Sequence, residues 1–244
     1  MAECLTGARY LAQSLHDYGV TDVFFMEAIL RHTLLELEKL GIRRVLAHSE
    51  KGAAYMADGY ARACGEIGTA LTVPGPGLLN AASALSTAYS ASSPVLMVTG
   101  QIERDEIGGD RGMLHEVNDQ LDAIGPVTKW AKRIMDPAEV PDIVHEAFHN
   151  LKNGRPRPVE IEIPPETLAE VGEVELLEPE APRKQSASKE QIEAAATALA
   201  GAAKPLIWAG GGVISAEGSA ALTKLAEHLQ APVVMTAEGK GAIS

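Results

Sequence analysis

Between residues 20 and 163 short β-branched runs alternate with helical stretches, and this alternation leaves the chain few folds to choose from. Residues 22–26, 43–47, 69–73, 94–100 and 158–163 read as strands. Residues 6–19, 29–40, the stretch from Glu50, the small-residue run after Gly77, 118–124 and 137–151 read as helices, and 127–129 as a short extended piece. Strands joined through helices run parallel, since antiparallel neighbours need only a tight turn. The run from Pro94 to Thr99 is continuously apolar, as in a strand covered on both faces. The expected fold class is therefore α/β: a doubly wound parallel sheet with helices on both faces, followed by a partial second α/β domain.

One strand-to-helix junction stands out. After the strand 43–47 comes Ser49-Glu50-Lys51-Gly52-Ala53-Ala54-Tyr55-Met56-Ala57-Asp58-Gly59-Tyr60-Ala61-Arg62, in which Ala53, Ala57 and Ala61 recur at helical spacing. So little side-chain bulk lets this helix approach a sheet or another helix closely. Glu50 sits at the turn, on the rim outside the carboxyl ends of the strands where open parallel sheets bind ligands. A carboxylate in a first helical turn also has a plain electrostatic use, worth ~0.3–1 kcal/mol against the macrodipole.

Composition narrows the partners. A net charge of −12 and a pI near 5.0 argue against nucleic acid and anionic membrane surfaces, both of which need a basic face. Two cysteines, Cys4 and Cys64, give neither a disulfide framework nor metal-ligand spacing. No run of 18 apolar residues is present, and the first residues lack the basic and apolar regions of a signal peptide. A cytoplasmic protein is expected.

Residues 164–188 interrupt the rhythm with Pro164, Pro165, Pro179 and Pro182 and with Glu166, Glu170, Glu173, Glu175, Glu178 and Glu180, a composition suited to an interdomain linker. The expected organisation is thus a domain over 1–163, an acidic Pro-rich linker over 164–188, and an incomplete α/β domain over 189–244. The last piece holds one βαβ unit and a leading helix, which is marginal for independent stability.

The turn Gly75-Pro76-Gly77 follows a strand and opens a helix, as a dinucleotide-binding fingerprint would. However, Asn80 stands where the third glycine belongs, and no acidic residue closes a second strand about 20 residues on. Gly210-Gly211-Gly212 fails in the same way at Ser215, and Gly239-Lys240-Gly241 lacks the spacing of a Walker loop. A dinucleotide-binding oxidoreductase is the weaker alternative, and a non-catalytic interaction or regulatory module is another.

The same residues fit a different family better. The string from Glu50 to Arg62 resembles the segment bearing the catalytic glutamate of thiamine-diphosphate enzymes of the acetolactate synthase and 2-oxo acid decarboxylase type. Gly75-Pro76-Gly77-x-x-Asn80 resembles the turn which that family sets against the aminopyrimidine ring. Leu114-His115-Glu116-Val117 and Pro126-Val127-Thr128-Lys129 resemble two further family segments, and residues 205–212 and 232–241 resemble the opening of its central domain. The resemblance implies a pyrimidine-binding domain over 1–163 and a carboligase or decarboxylase, a lyase or transferase, acting on 2-oxo acids. It implies Glu50 as the catalytic carboxyl at the pyrimidine N1′, with Glu50, Pro76 and Asn80 binding the cofactor and Met26, Glu27 and His115 on the substrate side. It further implies Mg²⁺, though the Gly-Asp-Gly ligand motif is absent, so the metal ligands and an active centre are expected from a diphosphate-binding domain outside this chain. A homodimer or tetramer, or a complementary diphosphate-domain chain, would provide that domain, and FAD or ADP is expected in the central domain. Three departures bear on substrate: Phe25-Met26-Glu27-Ala28 replaces a glycine-proline turn, His115 replaces a glutamine, and Ser49 replaces the histidine before the glutamate.

Overall fold

The computed structural model describes residues 3–26, 28–181 and 186–243, which fall into two compact units, 1–183 and 184–244. In the first unit, β1 (Glu3–Thr6) leads directly into α1 (Gly7–Asp17), where the Thr6 hydroxyl caps the helix by accepting from the Arg9 N–H. There follow β2 (Asp22–Met26), α2 (Arg31–Lys39), β3 (Arg43–Leu46), α3 (Glu50–Cys64), β4 (Gly68–Thr72), α4 (Pro76–Ala91) and β5 (Val95–Gly100). A long loop leads to α5 (Gln120–Ile124), β6 (Trp130–Arg133), α6 (Val140–Lys152), β7 (Val159–Ile163), α7 (Pro165–Ala169) and β8 (Val171–Val174).

Six strands form one sheet in the order β3-β2-β4-β5-β7-β6, every neighbouring pair parallel. The expected α/β class is what the chain adopts. Helices cover both faces. On one, Leu11 and Leu15 of α1, Leu34 and Leu37 of α2, and Phe148 of α6 pack on Val23, Leu71, Val98, Val159 and Ile161. On the other, the alanines of α3 and α4 pack on Phe24, Ala70 and Met97. The alanine stripe has the expected consequence: a Cβ placed on Gly68 of β4 would lie 2.0 Å from the Ala57 carbonyl oxygen, so α3 reaches the sheet backbone.

Two elements differ from expectation. The extended piece is not at 127–129, which forms part of a 3-10 turn (Gly125–Val127) and its exit; the strand is β6, one residue further on. It is an edge strand carrying Lys132 and Arg133, the charge that protects an edge and blurs its pattern. Secondly, residues 165–174, expected inside the linker, are folded: β8 pairs antiparallel with β1, Glu3 facing Val174. The Tyr10 hydroxyl holds this pair, accepting from the Val174 N–H at 3.1 Å and donating to the Gly172 carbonyl. The strand expected at 158–163 is β7, in which glutamates alternate with apolar residues and all five residues from Val159 to Ile163 are buried.

The second unit comprises α8 (Lys189–Ala200), β9 (Ile207–Ala209), α9 (Gly211–Ser215), α10 (Ser219–Leu229) and β10 (Val233–Met235), with β9 and β10 paired in parallel. Its core is small, centred on Ala209, Leu222 and Ala242. Ile192 and Trp208 are 59% and 76% exposed, as expected of a unit at the margin of self-sufficient burial.

Candidate active site

The sheet changes direction between β2 and β4: the chain leaves β2 for β3 on one side and returns to β4 on the other. Crevices at such switch points, outside the strand carboxyl ends, are where open α/β sheets take ligands. Met26 ends β2 there, in register with Thr72 of β4, and is 38% exposed.

Glu50 occupies the first turn of α3 and is half-buried. Ser49 is its N-cap, the hydroxyl accepting from the Gly52 N–H at 3.1 Å. A residue that departs from the family pattern thus serves the helix start. The Glu50 side chain lies over the first turn of α4: a Cβ on Gly77 would come within 3.3 Å of its Cγ and 3.4 Å of its Oε1. Asn80, one turn along α4, donates from Nδ2 to Glu50 Oε2 at 3.2 Å. Among the described residues Oε1 has no hydrogen-bond partner. One oxygen is therefore fixed while the other is unengaged among the described residues.

The turn that starts α4 is strained in a way that needs glycine. Gly75 adopts φ 54°, ψ −111°, and a Cβ there would lie 2.0 Å from the His115 carbonyl oxygen. Pro76, the first residue of α4, is exposed beside it. The Gly75 N–H donates to Gln120 Oε1 at 2.6 Å. That amide is consumed internally and cannot cradle a phosphate, which removes the main support for the dinucleotide reading.

His115 stands at φ 71° and is half-buried, its backbone against the Gly75 turn. The loop around it is organised by Glu116, whose carboxylate accepts from the Met113 N–H at 2.8 Å and the Arg111 N–H at 3.3 Å. These backbone bonds, that from Met113 foremost, hold the Glu116 carboxyl below its usual range. Glu27 lies outside the described residues. The structure thus gathers Glu50, Pro76, Asn80, Met26 and His115 around the rim of the switch point.

Sequence reasoning missed a buried polar cluster beneath this rim. Glu162, fully buried, accepts from Gln120 Nε2 at 2.6 Å and Gln101 Nε2 at 3.2 Å, and pairs with the Arg133 guanidinium. Beside it Glu160, also fully buried, has no hydrogen-bond partner for either carboxyl oxygen among the described residues. Burial, and then the neighbouring Glu162, push the Glu160 carboxyl well above its usual range, against smaller opposing effects of Thr99 and Arg133. Among the described residues no group of three or more His, Cys, Asp or Glu is placed to hold a metal ion, and no helix is long and apolar enough to cross a membrane.

Residues 5–123 match the model for the N-terminal TPP-binding domain of thiamine pyrophosphate enzymes, and 192–244 match the model for their central domain. The chain is 36% identical over 242 residues to a probable 2-ketoarginine decarboxylase of Pseudomonas aeruginosa, covering 97% of this chain and 43% of that protein. It is likewise 36% identical over 255 residues to an acetolactate synthase of Arthrospira platensis, covering 97% and 42%. Against a glyoxylate carboligase of Escherichia coli it is 39% identical over 212 residues, 83% of this chain and 34% of the relative. The chain spans about two fifths of the length of the curated relatives it matches. The chain belongs to the thiamine pyrophosphate enzymes, matching the model for their N-terminal domain and the model for their central one.

Proposed function

We propose that this chain contributes the pyrimidine side of the active site of a thiamine-diphosphate enzyme that decarboxylates or joins 2-oxo acids, with Glu50 as its catalytic carboxyl. The carrying observation is the Glu50–Asn80 pair over Gly77: a half-buried carboxylate at a sheet switch point, one oxygen held and the other unengaged. Thiamine diphosphate, when bound, supplies the electron sink for cleaving or forming the bond next to a carbonyl carbon. Glu50 Oε1 would hold and return a proton at a ring nitrogen of the cofactor, with Asn80 keeping Oε2 from turning away and Pro76 offering the rigid surface of the α4 start. Two relatives bear names that describe decarboxylation of one 2-oxo acid and carboligation of another, which supports this substrate class.

Met26 and His115, and Glu27 with them, are assigned to the substrate side. Mg²⁺ is held by ligands of a diphosphate-binding domain, and the central domain takes FAD or ADP. A second copy, or a complementary chain, supplies the diphosphate half of the site. Tyr55 and Met56 of α3 and Leu79 of α4 are 42%, 43% and 44% exposed, an apolar surface suited to that contact. The working compartment is the cytoplasm.

The test uses the protein in its native assembly with thiamine diphosphate and Mg²⁺, offered 2-ketoarginine, glyoxylate and pyruvate. One of these 2-oxo acids is consumed with CO₂ release, and Glu50→Gln lowers kcat by about 100-fold or more with cofactor affinity kept. Undiminished turnover in Glu50→Gln, or no reaction with any 2-oxo acid, overturns the reading.

A further inference from the structure

Nothing in the chemistry assigned to Glu50 requires a buried glutamine, yet Gln120 commits both polar atoms of its side chain to joining the start of α4 to the ends of β5 and β7. It is 2% exposed and begins α5, a short helix capped by Asp119. Its Oε1 accepts from the Gly75 N–H at 2.6 Å, while Nε2 donates to Glu162 Oε2 at 2.6 Å and to the Gly100 carbonyl at 3.2 Å. Glu162 cannot yield, because its carboxylate is also fixed by Arg133 and Gln101, and Gln101 in turn accepts from the Ile102 N–H at 2.7 Å. The ends of β5, β6 and β7 are therefore tied through one amide to the residue that precedes α4.

That residue needs tying. Gly75 is the N-cap of α4 and, having no side chain, makes no capping bond of its own; its φ and ψ are open to glycine alone, so its conformation is set from outside. From this point the helix carries Gly77 under the Glu50 side chain and Asn80 to Glu50 Oε2. A rotation of the first turn would move both.

We propose that Gln120, anchored by Glu162, is a positioning residue for catalysis: it fixes the Gly75 turn and thereby the Asn80–Glu50 hydrogen bond that aims the catalytic carboxyl. This rests on the reading of Glu50 given above, but its structural half stands without it. Misplacement of a reacting group by about an ångström lowers rate without lowering binding to the same degree, so the effect falls on kcat.

Two measurements test this. In the isolated 244-residue chain, ¹⁵N-resolved NMR reads the Gly75 backbone amide and the Asn80 side-chain amide in wild type and Gln120→Met. Faster hydrogen exchange at Gly75 and a displaced Asn80 Nδ2 resonance are expected, the latter moving toward its position in Glu50→Gln. In the native assembly with thiamine diphosphate, Gln120→Met lowers kcat by roughly 10–100-fold with KM changed less than about threefold. Exchanging the pair, Gln120→Glu with Glu162→Gln, keeps an acceptor for Gly75 and the bond between positions 120 and 162, and recovers part of kcat; Gln120→Glu alone sets two carboxylates together and does not. An unmoved Asn80 resonance in Gln120→Met overturns the positioning role whatever the fate of Glu50. Equal kcat in wild type and Gln120→Met overturns its catalytic half. Failure of the exchanged pair to exceed Gln120→Glu shows that Glu162 is not the anchor. Full activity of Glu50→Gln, with the Asn80 shift present, strikes the enzyme reading alone.

Discussion

Glu160 should make this protein lose stability as the pH rises through the range where most proteins are steady. Its carboxyl is fully buried on β7, in register with Met97 of β5 and Ala131 of β6, so it points into the apolar layer under α4 and α5. Neither carboxyl oxygen has a hydrogen-bond partner within 3.5 Å among the described residues, and the repulsion of the Glu162 carboxylate two residues along the same face outweighs each of the smaller favourable effects of Thr99 and Arg133 on its charge. Burial and that repulsion keep the folded chain's Glu160 protonated at pH values where the unfolded chain has released the proton. The native state then binds one proton more than the unfolded state. The stabilisation is complete below the unfolded pKa and declines by about 1.4 kcal/mol per pH unit above it, until the folded group ionises in its turn. Glu160→Gln keeps the shape of the neutral acid and does not titrate. Denaturant unfolding from about pH 5 to pH 8, read by Trp130 fluorescence in a Trp208→Phe background, isolates this residue because all other carboxylates are shared. The stability difference, variant minus wild type, should grow as the pH rises above the unfolded pKa, by at most about 1.4 kcal/mol per pH unit. A pH-independent difference would show that Glu160 is ionised or solvated, and would refute the reasoning.

Other substitutions probe the close contacts. Gly68→Ala sets a methyl 2.0 Å from the Ala57 backbone oxygen and should cost about 3 kcal/mol or more, measured as a fall in the denaturant midpoint. Gly77→Ala meets Val73 Cγ2 at 2.4 Å and Glu50 Cγ at 3.3 Å; it should leave the far-ultraviolet spectrum unchanged and reduce turnover of the assembled enzyme by roughly 10–100-fold. Tyr18, whose hydroxyl lies 2.5 Å from His145 Nδ1, has its pKa pushed up to about 12, first by burial and then by Glu180 and Glu178. Its contribution to stability is present below pH 10 and lost as the pH rises toward 12, and Tyr18→Phe should remove the last-titrating phenol from the absorbance titration.

The parts of the structure that follow from local pattern were legible in the sequence. Helical spacing of Ala53, Ala57 and Ala61 gives a helix able to touch the sheet, and the strand before it puts Glu50 on the ligand rim. What escaped was set by distant partners. In β8, Val171-Gly172-Glu173-Val174 sits within a glutamate-rich stretch and becomes a strand because β1 and the Tyr10 hydroxyl receive it from more than 160 residues away. Glu160 and Glu162 alternate with apolar residues as exposed strand residues do, and only the cover of α4, α5 and β6 buries them. Gln120 carries no motif, since its role arises from the meeting of Gly75, Gly100 and Glu162, residues 20 to 45 positions apart from it.

Hydrogen–deuterium exchange at the thiazolium C2 of bound thiamine diphosphate, quenched and read by proton NMR in the native assembly, reaches Glu50 without waiting for the substrate to be identified. The account predicts that Glu50→Gln slows this exchange by about 100-fold or more while the cofactor remains bound. Exchange as fast in Glu50→Gln as in wild type would contradict it.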